Sequence, residues 1–545
     1  MRKVVGLFIL ILILSGCAAI PTAGPIEIIE NNVTQQDTNA VRVIAKPPTV
    51  RMNAVQIASG FVAANVSTFG DFEVARKYLT PSASNVWNPT SFEVLDSASI
   101  QYNDLGTGIV ELSALQTGRL KKNHRFEIFS VAKPFLLQFQ MENTKAGLRI
   151  QNEILSGILT SSDMVRGFSA FNVYFGNENF TRLVPEIVWL PKNEKSIGTK
   201  LVSALLLGSR ENFKTAIPNG TALRFGSVAI SNGVADINLN AAALNADNSQ
   251  RKFMMAQFVW TLQSIPGVAR VQISTNDRIL STQGKTYFNR RNFSKLDPDF
   301  AKWESGLFTL KNGNLSAEND GLLVDLGKLP KDIRFSISEN QKRLAYTLNG
   351  ELRTASVSKV KKYKSQFVDV QNSGYDNSGR VWFSNFRGNL FCLSTDGSIQ
   401  KVLQLEGLRI QDLSVSPDGA RVALIATTQS TSTLLVGSIV SENGILKVVG
   451  LHKVEQTLNE VSDVDWFNST ELAVIGQIGI SESVVAQVSL TNGSLRNLNG
   501  PRKFNYISTS NKGALLAGSN SGSVWMFEDG QWIKFAKNVQ AVYSK

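Results

Sequence analysis

Histidine, cysteine and long apolar runs are all scarce in this chain of 545 residues. It has two histidines, His124 and His452, and two cysteines, Cys17 and Cys392. A histidine-based metal site and a Ser-His-Asp relay both need histidine beside other reactive groups, and these two lie in different predicted domains. We therefore predict no metal, no cofactor and no histidine-dependent catalytic site.

The N-terminus carries the one long apolar run near a chain end. Arg2 and Lys3 precede the apolar residues 4–14, and small residues then lead to Cys17. Eleven residues are too few to cross a bilayer, which needs about 20. The segment 1–16 is therefore predicted to be a signal peptide.

The tetrapeptide Leu14-Ser15-Gly16-Cys17 resembles the lipobox of bacterial lipoproteins. In that pattern, cleavage falls before the cysteine, whose thiol takes an S-diacylglycerol and whose new amino group can take an acyl chain such as palmitate. Two or more chains hold a protein on a membrane where one does not. The prediction is a protein anchored by lipid on Cys17 at the extracytoplasmic face of the cell membrane. The alternative is an ordinary signal peptide or an uncleaved anchor.

Positive charge exceeds negative charge over the whole chain. The formal net charge is +12, and loss of Arg2 and Lys3 with the signal leaves +10. A basic exported chain is attracted to anionic head groups and wall polymers, whereas an extracytoplasmic address argues against nucleic acid. The basic clusters are short, and we predict that they are chiefly solvated: Arg119, Lys121, Lys122 and Arg125; Arg290 and Arg291; Lys359, Lys361, Lys362 and Lys364.

Composition and periodicity divide the rest of the chain. Residues 17–45 are polar and aperiodic, which is typical of a tether. Residues 46–165 predict a helix-led α+β domain: an apolar stripe over residues 54–62, a short helix with Asp71 as N-cap and Thr80-Pro81 at its end, and strands at 109–116, 126–131 and 137–141.

Residues 166–285 predict a second α+β domain. Strands are expected at residues 171–175, 183–190, 234–239 and 268–273, with helices at 199–207 and 251–265. The second helix is apolar around most of its circumference, so we expect other elements to cover it on more than one side.

Residues 290–545 contain an internal repeat. The decapeptide beginning at Ser336 aligns with the one beginning at Ser414, and weaker copies begin at Ser373, Val464 and Ser508. This spacing is close to that of four-stranded propeller blades. We predict an all-β propeller of five or six blades, closed by pairing of residues 307–310 with 539–543; an array of β-sandwiches is the alternative.

Few groups in this chain suggest chemistry. Asp463 and Asp465 are a carboxylate pair of the kind glycosidases use, but blade hydrogen bonding is the favoured interpretation. Asp236 and Asn238 lie on the exposed side of a strand, where a cation or polar ligand is an alternative to simple solvation. The run 518–522 resembles a nucleophile elbow but has asparagine at its centre, so a hairpin loop is predicted.

Several motifs, in order, resemble the LpqB lipoprotein family of actinobacteria. They are residues 17–21, 74–81 with 87–89, and 183–185, while residues 201–208, 233–237 and 257–262 resemble the GerMN (sporulation and germination) domain. The chain departs from the family where Ser209-Arg210 replaces the usual proline.

The resemblance implies a non-enzymatic accessory protein of the MtrAB two-component system. It would contact the extracellular domain of an MtrB-like sensor histidine kinase and affect cell-wall homeostasis and division. A cell-wall polymer is a further partner to test. Two other functions stay open on the residues alone: an envelope glycan-processing enzyme with carboxylates in the propeller mouth, and a passive wall-binding structural protein.

Overall fold

The computed structural model describes residues 45–545, apart from the short segments 69–70, 282–283, 300–306, 320–321, 331–332, 361–362, 455–456, 480–482, 501–502, 510–513, 540 and 545. From Val43 onward the chain forms one compact unit. Among the described residues, no helix combines the length and the apolar character that crossing a bilayer requires. The predicted signal peptide and Cys17 lie outside the described residues.

The N-terminal domain is a curled, mostly antiparallel sheet with helices packed against it. Its helices are α1 (Ala54–Ala64), α2 (Glu73–Arg76), α3 (Pro81–Val86) and α4 (Ser161–Gly167). Its strands are β1 (Phe92–Leu95), β2 (Gln101–Asp104), β3 (Ile109–Leu120), β4 (Phe126–Thr144), β5 (Gly147–Ile150) and β6 (Gly157–Thr160). The strand order is β5-β4-β3-β1-β6, with β2 also on β3 and with β6 parallel to β1.

Helix α1 follows the predicted apolar stripe. Asn53 caps it: its side chain accepts from the backbone N–H of Gln56, and the Gln56 side chain accepts from the backbone N–H of Asn53, both at 2.9 Å. This is a capping box, which satisfies two N–H groups that a helix start leaves open. The predicted stripe is confirmed, because Ile57, Ala58 and Phe61 are fully buried.

Two predictions for the next helices are wrong. Asp71 is not an N-cap, because its backbone is left-handed (φ 54°) and not extended; its carboxylate accepts a hydrogen bond from Arg76 at 2.7 Å instead. Thr80 begins a helix where an end was expected. Its hydroxyl accepts from the N–H of Ala83, and Pro81 takes the first helical position, where its missing N–H is harmless.

Strand β4 joins two predicted strands into one of 19 residues. It pairs with β3 along most of its length, with a register shift between Gln116 and Gly118. The irregularity falls near Pro134, which pairs with Leu115 and cannot donate to the ladder. The sheet therefore curls without ending the strand.

The middle domain packs two helices and a hairpin on a small mixed sheet. Its helices are α5 (Ile197–Leu206) and α6 (Asn248–Leu262). Its strands are β7 (Phe168–Gly176), β8 (Leu183–Pro191), β9 (Ala229–Ser231), β10 (Val234–Leu239), β11 (Arg270–Thr275), β12 (Arg278–Ile279) and β13 (Tyr287–Phe288). Strands β7 and β8 pair with each other, whereas the larger sheet has the order β12-β11-β10-β9, with β13 on β11.

Helix α6 is the centre of the middle domain. Asp247 caps it with a second capping box, and every residue from 253 to 262 is buried. The polar members of this stretch are satisfied inside the core: the Gln257 amide donates to the Tyr174 carbonyl at 3.0 Å, and the Thr261 hydroxyl accepts from the Tyr174 N–H at 3.0 Å. The prediction of a helix covered on several sides is confirmed.

The C-terminal domain is a propeller whose described residues form six four-stranded sheets. Blade 1 contains β14 (Leu307–Lys311), β15 (Asn314–Asn319), β16 (Leu322–Lys328) and β37 (Ala541–Ser544); blade 2 contains β17 (Phe335–Ile337), β18 (Arg343–Leu348), β19 (Glu351–Ser356) and β20 (Tyr363–Phe367); blade 3 contains β21 (Val370–Tyr375), β22 (Val381–Asn385), β23 (Asn389–Leu393) and β24 (Ile399–Gln404). Blade 4 contains β25 (Arg409–Val415), β26 (Arg421–Thr427), β27 (Ser432–Glu442) and β28 (Ile445–Lys453); blade 5 contains β29 (Leu458–Asn468), β30 (Glu471–Ile478), β31 (Ser483–Ser489) and β32 (Leu495–Asn497); blade 6 contains β33 (Tyr506–Thr509), β34 (Leu515–Gly518), β35 (Val524–Glu528) and β36 (Gln531–Ala536).

Blade 1 is closed by the two ends of the propeller sequence. Strand β37 pairs antiparallel with β14, so that Leu307 lies opposite Ser544 and Leu310 lies opposite Ala541. The predicted closure is confirmed, and the blade number is six.

The blade pairing also corrects the repeat register. Ser336 pairs with Ala345 and Ser414 with Ala423, as the sequence alignment requires. In blade 3 the equivalent residue is Gly374, and in blade 5 it is Asp465, each one residue later than predicted. Blades 3 and 4 share a bulge at the same place in the strand, after Val370 and after Ile410, and blade 5 has a longer irregularity after Asn459.

Candidate functional site

A cavity of about 360 Å³ lies on the propeller axis. The innermost strands of the blades line it, including β21, β25 and β29. With the corrected register, the residues two positions before the repeat start are homologous: Arg334, Asn372, Asp412, Asp463 and Tyr506 in blades 2 to 6. One position of the repeat therefore supplies the polar side chains at the centre of the cavity, and the residue type at this position differs from blade to blade.

Arg334 lies between two of these carboxylates. Its Nη1 is 2.8 Å from Asp463 Oδ1 and 3.4 Å from Asp412 Oδ2. Burial raises the pKa of Asp463 well above its ordinary value; Arg334 opposes the rise, and the neighbouring Asp412 adds to it. The same aspartates raise the pKa of Arg334, Asp463 most strongly. The cluster therefore holds one permanent positive charge between two acidic side chains, and the charge of Asp412 disfavours the ionised form of Asp463.

The axial carboxylates bind the backbone of the next blade. Asp412 on blade 4 accepts from the N–H of Val464 on blade 5 at 3.2 Å, and Asp463 on blade 5 accepts from the N–H of Ile507 on blade 6 at 2.6 Å. Asp465 repeats the pattern with the N–H and hydroxyl of Thr509 at 2.9 and 3.0 Å. The prediction that Asp463 and Asp465 make blade hydrogen bonds is confirmed.

A second cavity of about 480 Å³ lies between the middle domain and the propeller. Tyr174 and Trp260 of the middle domain form one part of its wall, and the turn 468–470 of blade 5 forms another. The segment 290–299 lines it with two arginines and two aspartates. The guanidinium of Arg290 lies over the Trp260 ring, 4.7 Å from its centroid.

Blade turns also bind the middle domain through ion pairs. Arg421, which follows the Pro417-Asp418-Gly419 turn, lies 3.0 Å from Glu211, and its Nη2 donates to the Pro185 carbonyl at 2.8 Å. The corresponding Arg380 of blade 3 pairs with Glu178. In the opposite sense, Arg182 of the middle domain lies 3.1 Å from Glu339 of blade 2. The repeat arginine thus serves as a docking group for the middle domain.

The N-terminal domain is joined to the middle domain by a buried ion pair between Arg125 and Glu186, each 3% exposed. Arg125 also donates to the Gly208 carbonyl at 2.8 Å. Ser209 donates to Glu186 and accepts from the N–H of Phe213 at 2.9 Å. The Ser209 hydroxyl therefore ties the loop after α5 to the buried ion pair.

The interpretation of the basic clusters is wrong for two residues. Arg125 is 2% exposed in the ion pair just described, and Arg290 is partly buried over Trp260. Other members are solvated as predicted, such as Lys122 and Lys359. No local sequence pattern distinguishes Arg125 and Arg290 from the solvated basic residues, because the partners of these two arginines lie in another predicted domain.

The remaining predicted residues do not converge on one site. His124 lies in the turn before β4 and His452 lies on β28. Asn238 donates to Asp277 at 2.6 Å on the exposed edge of the middle domain. The run 518–522 is the predicted hairpin loop, between β34 and β35. Histidine, cysteine and acidic side chains of the described residues nowhere form a group of three suited to a metal ion.

Three parts of the chain match known family models. Residues 47–166 match "Lipoprotein LpqB, N-terminal domain", residues 172–281 match "Sporulation and spore germination", and residues 397–543 match "Lipoprotein LpqB beta-propeller domain". The three matches follow the order of the three domains in the structure.

Curated relatives align along most of the chain. Lipoprotein LpqB of Streptomyces avermitilis is 25% identical over 595 aligned positions, covering 96% of this chain and 95% of the relative. Lipoprotein LpqB of Cutibacterium acnes is 22% identical, covering 85% and 84%. Among solved structures, TolB from Acinetobacter baumannii aligns at 13% identity with a TM-score of 0.36, covering 44% of this chain and 66% of that one.

Proposed function

Because this chain belongs to the LpqB lipoprotein family, we propose that it is a lipid-anchored, non-catalytic binding protein at the extracytoplasmic face of the cell membrane. Cys17 is the proposed anchor, with an S-diacylglycerol group and an N-acyl chain, exposed by cleavage after Leu14-Ser15-Gly16. An apolar run too short to span a bilayer, followed by a cysteine, supports this step.

The proposed partner is the extracellular domain of an MtrB-like sensor histidine kinase. The family resemblance suggests this partner, and with it an influence on cell-wall homeostasis and division. The fold supports a binding role, because three domains joined by buried ion pairs present large surfaces in one arrangement. Binding would act by population shift: a ligand that changes the docked fraction changes the equilibrium of the kinase.

The observation that carries the non-catalytic proposal is the use of the axial carboxylates. A glycosidase needs one carboxyl group to protonate the leaving oxygen and a second to attack or activate water. In this cavity Asp412, Asp463 and Asp465 already accept backbone N–H groups of neighbouring blades. Their positions are those of structural ties between blades.

A pull-down with the kinase's extracellular domain tests the proposal. The soluble chain from Ala18 is used intact, because removing the middle domain would expose the interface side chains Arg125 and Arg421 and remove their ion-pair partners. Exposed basic residues are reversed to glutamate one per domain: Lys145, Lys195 and Arg387. Saturable binding weakened by one reversal and by salt would support the proposal and locate the face.

No binding at low salt would overturn the kinase proposal. Binding to purified cell wall would then favour a passive structural role. Release of wall fragments that is abolished by Asp463→Asn, with unchanged thermal unfolding, would favour a glycan-processing enzyme.

A further inference from the structure

Two residues that line the cavity between the middle domain and the propeller carry buried hydrogen-bond donors without a partner among the described residues. Trp260 is 5% exposed and lines the cavity, yet its indole Nε1 has no partner among the described residues. The buried Nε of Arg290 has none either. An unsatisfied buried donor costs about 1–3 kcal/mol. Two residues of one cavity lining therefore each carry a donor that a bound acceptor could satisfy after a small movement.

Arg290 is held in place independently of any ligand. Its guanidinium packs over Trp260 and lies 5.8 Å from the ring centroid of Tyr174. Its Nη2 donates to the Trp260 carbonyl at 3.2 Å, and its backbone N–H donates to the Gln263 side chain at 2.7 Å. A fixed guanidinium loses little freedom on binding, which is the condition for recognising an oxyanion well.

The next residue adds a second positive charge. Arg291 is exposed, lines the same cavity and makes no ion pair within the described part of the chain. The two arginines thus bring one fixed and one mobile guanidinium to the same wall. Guanidinium groups form their strongest hydrogen bonds with carboxylate and phosphate oxygens.

The acidic residues of the cavity are already engaged. Asp299 accepts from the N–H of Ser469 at 2.7 Å, and Asp297 accepts from the N–H of Asp299 at 3.0 Å. Burial raises the pKa of both carboxyl groups, to about 6 for Asp299. Both carboxylates thus already have backbone donors of their own, whereas the Trp260 indole and the Arg290 Nε do not.

We propose that this cavity binds a small oxyanion, a carboxylate or phosphate group, between Trp260, Arg290 and Arg291. Its volume of about 480 Å³ is within the range of small-molecule sites. The ligand would touch the middle domain, the segment 290–299 and blade 5 together. The inference rests on the proposed binding role only in treating the chain as a binding protein.

The indole N–H resonances of the soluble chain test this inference. The chain has eight tryptophans, so Trp260→Phe assigns the Trp260 signal by its loss. Inorganic phosphate and acetate are titrated separately at constant ionic strength, with chloride as the reference salt. We expect a saturable shift of the Trp260 resonance with at least one of the two, and the stronger of them identifies the phosphate or the carboxylate source.

Trp189 provides an internal control. Its indole Nε1 is also buried without a partner among the described residues, but Trp189 lines neither cavity. Its resonance should stay still while that of Trp260 moves. Equal movement of both would show a general salt effect and would overturn the proposal.

Arg291→Gln is expected to weaken the titration about tenfold, the loss of one charge-assisted hydrogen bond. Arg278→Gln makes the same change of net charge on exposed β12, away from the cavity lining, and should leave binding unchanged. No shift with either anion, or equal affinity in both variants, would contradict the site. The kinase is absent from this measurement, so the inference and the proposed function can fail separately.

Discussion

Glu211 of the middle domain forms an ion pair with Arg421 of blade 4, so this contact with the propeller depends on the ionisation of the Glu211 carboxyl group. Burial alone would raise its pKa, but Arg421 and Arg210 outweigh burial and lower it to about 2. Its carboxylate also accepts from the hydroxyl of Ser438 on blade 4 at 2.9 Å. The folded protein therefore stabilises the ionised form of the Glu211 carboxyl group more than the unfolded chain does.

This shift predicts acid lability of the middle-domain interface. A carboxylate with a lowered pKa stabilises the fold above its ordinary value of 4.5, and the contribution is lost as the pH falls toward 2. The contribution is on the order of 2–3 kcal/mol. Glu211→Gln should lower the thermal unfolding midpoint at pH 7, and its difference from wild type should narrow near pH 3.

Glu153→Gln is the control for that prediction, because Glu153 is exposed and belongs to no ion pair within the described residues. It should match wild type at both pH values. A Glu211→Gln difference that stays constant from pH 7 to pH 3 would show that the loss is due to packing and not to charge.

Cys392 is predicted to be unreactive in the folded protein. It is fully buried on β23, and burial raises the pKa of its thiol to about 12. The thiolate is the reactive form, so almost none is present at pH 8. In the chain from Ala18, a disulfide reagent should label no thiol until urea unfolds the propeller, and then one per chain; rapid labelling without urea would contradict the prediction.

For single residues, the sequence predicted the kind of interaction better than the residue with which it is made. The blade hydrogen bonds of Asp463 and Asp465 followed from their place beside Trp466. Arg334 and Asp412 were missed because no sequence pattern marks their position as facing the propeller axis; only the folded ring brings Arg334 of blade 2 to Asp412 and Asp463 of blades 4 and 5. Arg125 was assigned to a solvated cluster because its partner, Glu186, is 61 positions away. Such long-range pairings leave no local pattern.

Among the elements, the turns of blade 3 show where glycine is required. Gly388, between β22 and β23, has φ 76°, and an added Cβ would overlap the backbone oxygens of Leu405 and Leu408. Gly397, between β23 and β24, has φ 92° but open space around it. Both glycines have a positive φ angle, and they differ only in the space available for an added Cβ atom.

This difference predicts unequal effects of the same substitution. Gly397→Ala should cost about 1–2 kcal/mol for the left-handed backbone alone. Gly388→Ala should cost clearly more, because backbone atoms cannot rotate away as a side chain can. Urea unfolding of the two variants measures the comparison, and equal losses would show that the turn at Gly388 relaxes freely.

Elements with strong periodicity were predicted well, and those set by turn chemistry were not. Helix α6 and strand β10 were found at or near their observed bounds because their apolar patterns match the regular periods. Helix α3 was missed because Thr80-Pro81 was interpreted as an end, although the same pair is a good beginning. Strand β4 was divided because Pro134 interrupts its pattern without ending it.

For the molecule as a whole, the pairing of β14 with β37 holds the ring of blades together. Four residue pairs join the strands, and Val542 is 7% exposed. Deleting residues 541–545 should therefore leave β14 as an open edge and lower the thermal unfolding midpoint. Deleting residues 18–40, outside the compact unit that begins at Val43, should leave it unchanged.

A truncated propeller with an unchanged midpoint would show that blade-to-blade packing alone maintains the ring. Increased dimerisation or aggregation of the truncated chain would be consistent with an exposed strand edge. Calorimetry measures the thermal unfolding midpoint, and size-exclusion chromatography measures dimerisation and aggregation.

The β14–β37 pairing also fixes a temporal order. Leu307 pairs with Ser544, which is synthesised 237 positions later, so blade 1 cannot be complete before Ser544 has been made. Bringing such distant strands together is slow compared with forming hairpins between neighbours. Until β37 has been synthesised, blade 1 therefore lacks a strand and the ring of blades stays open.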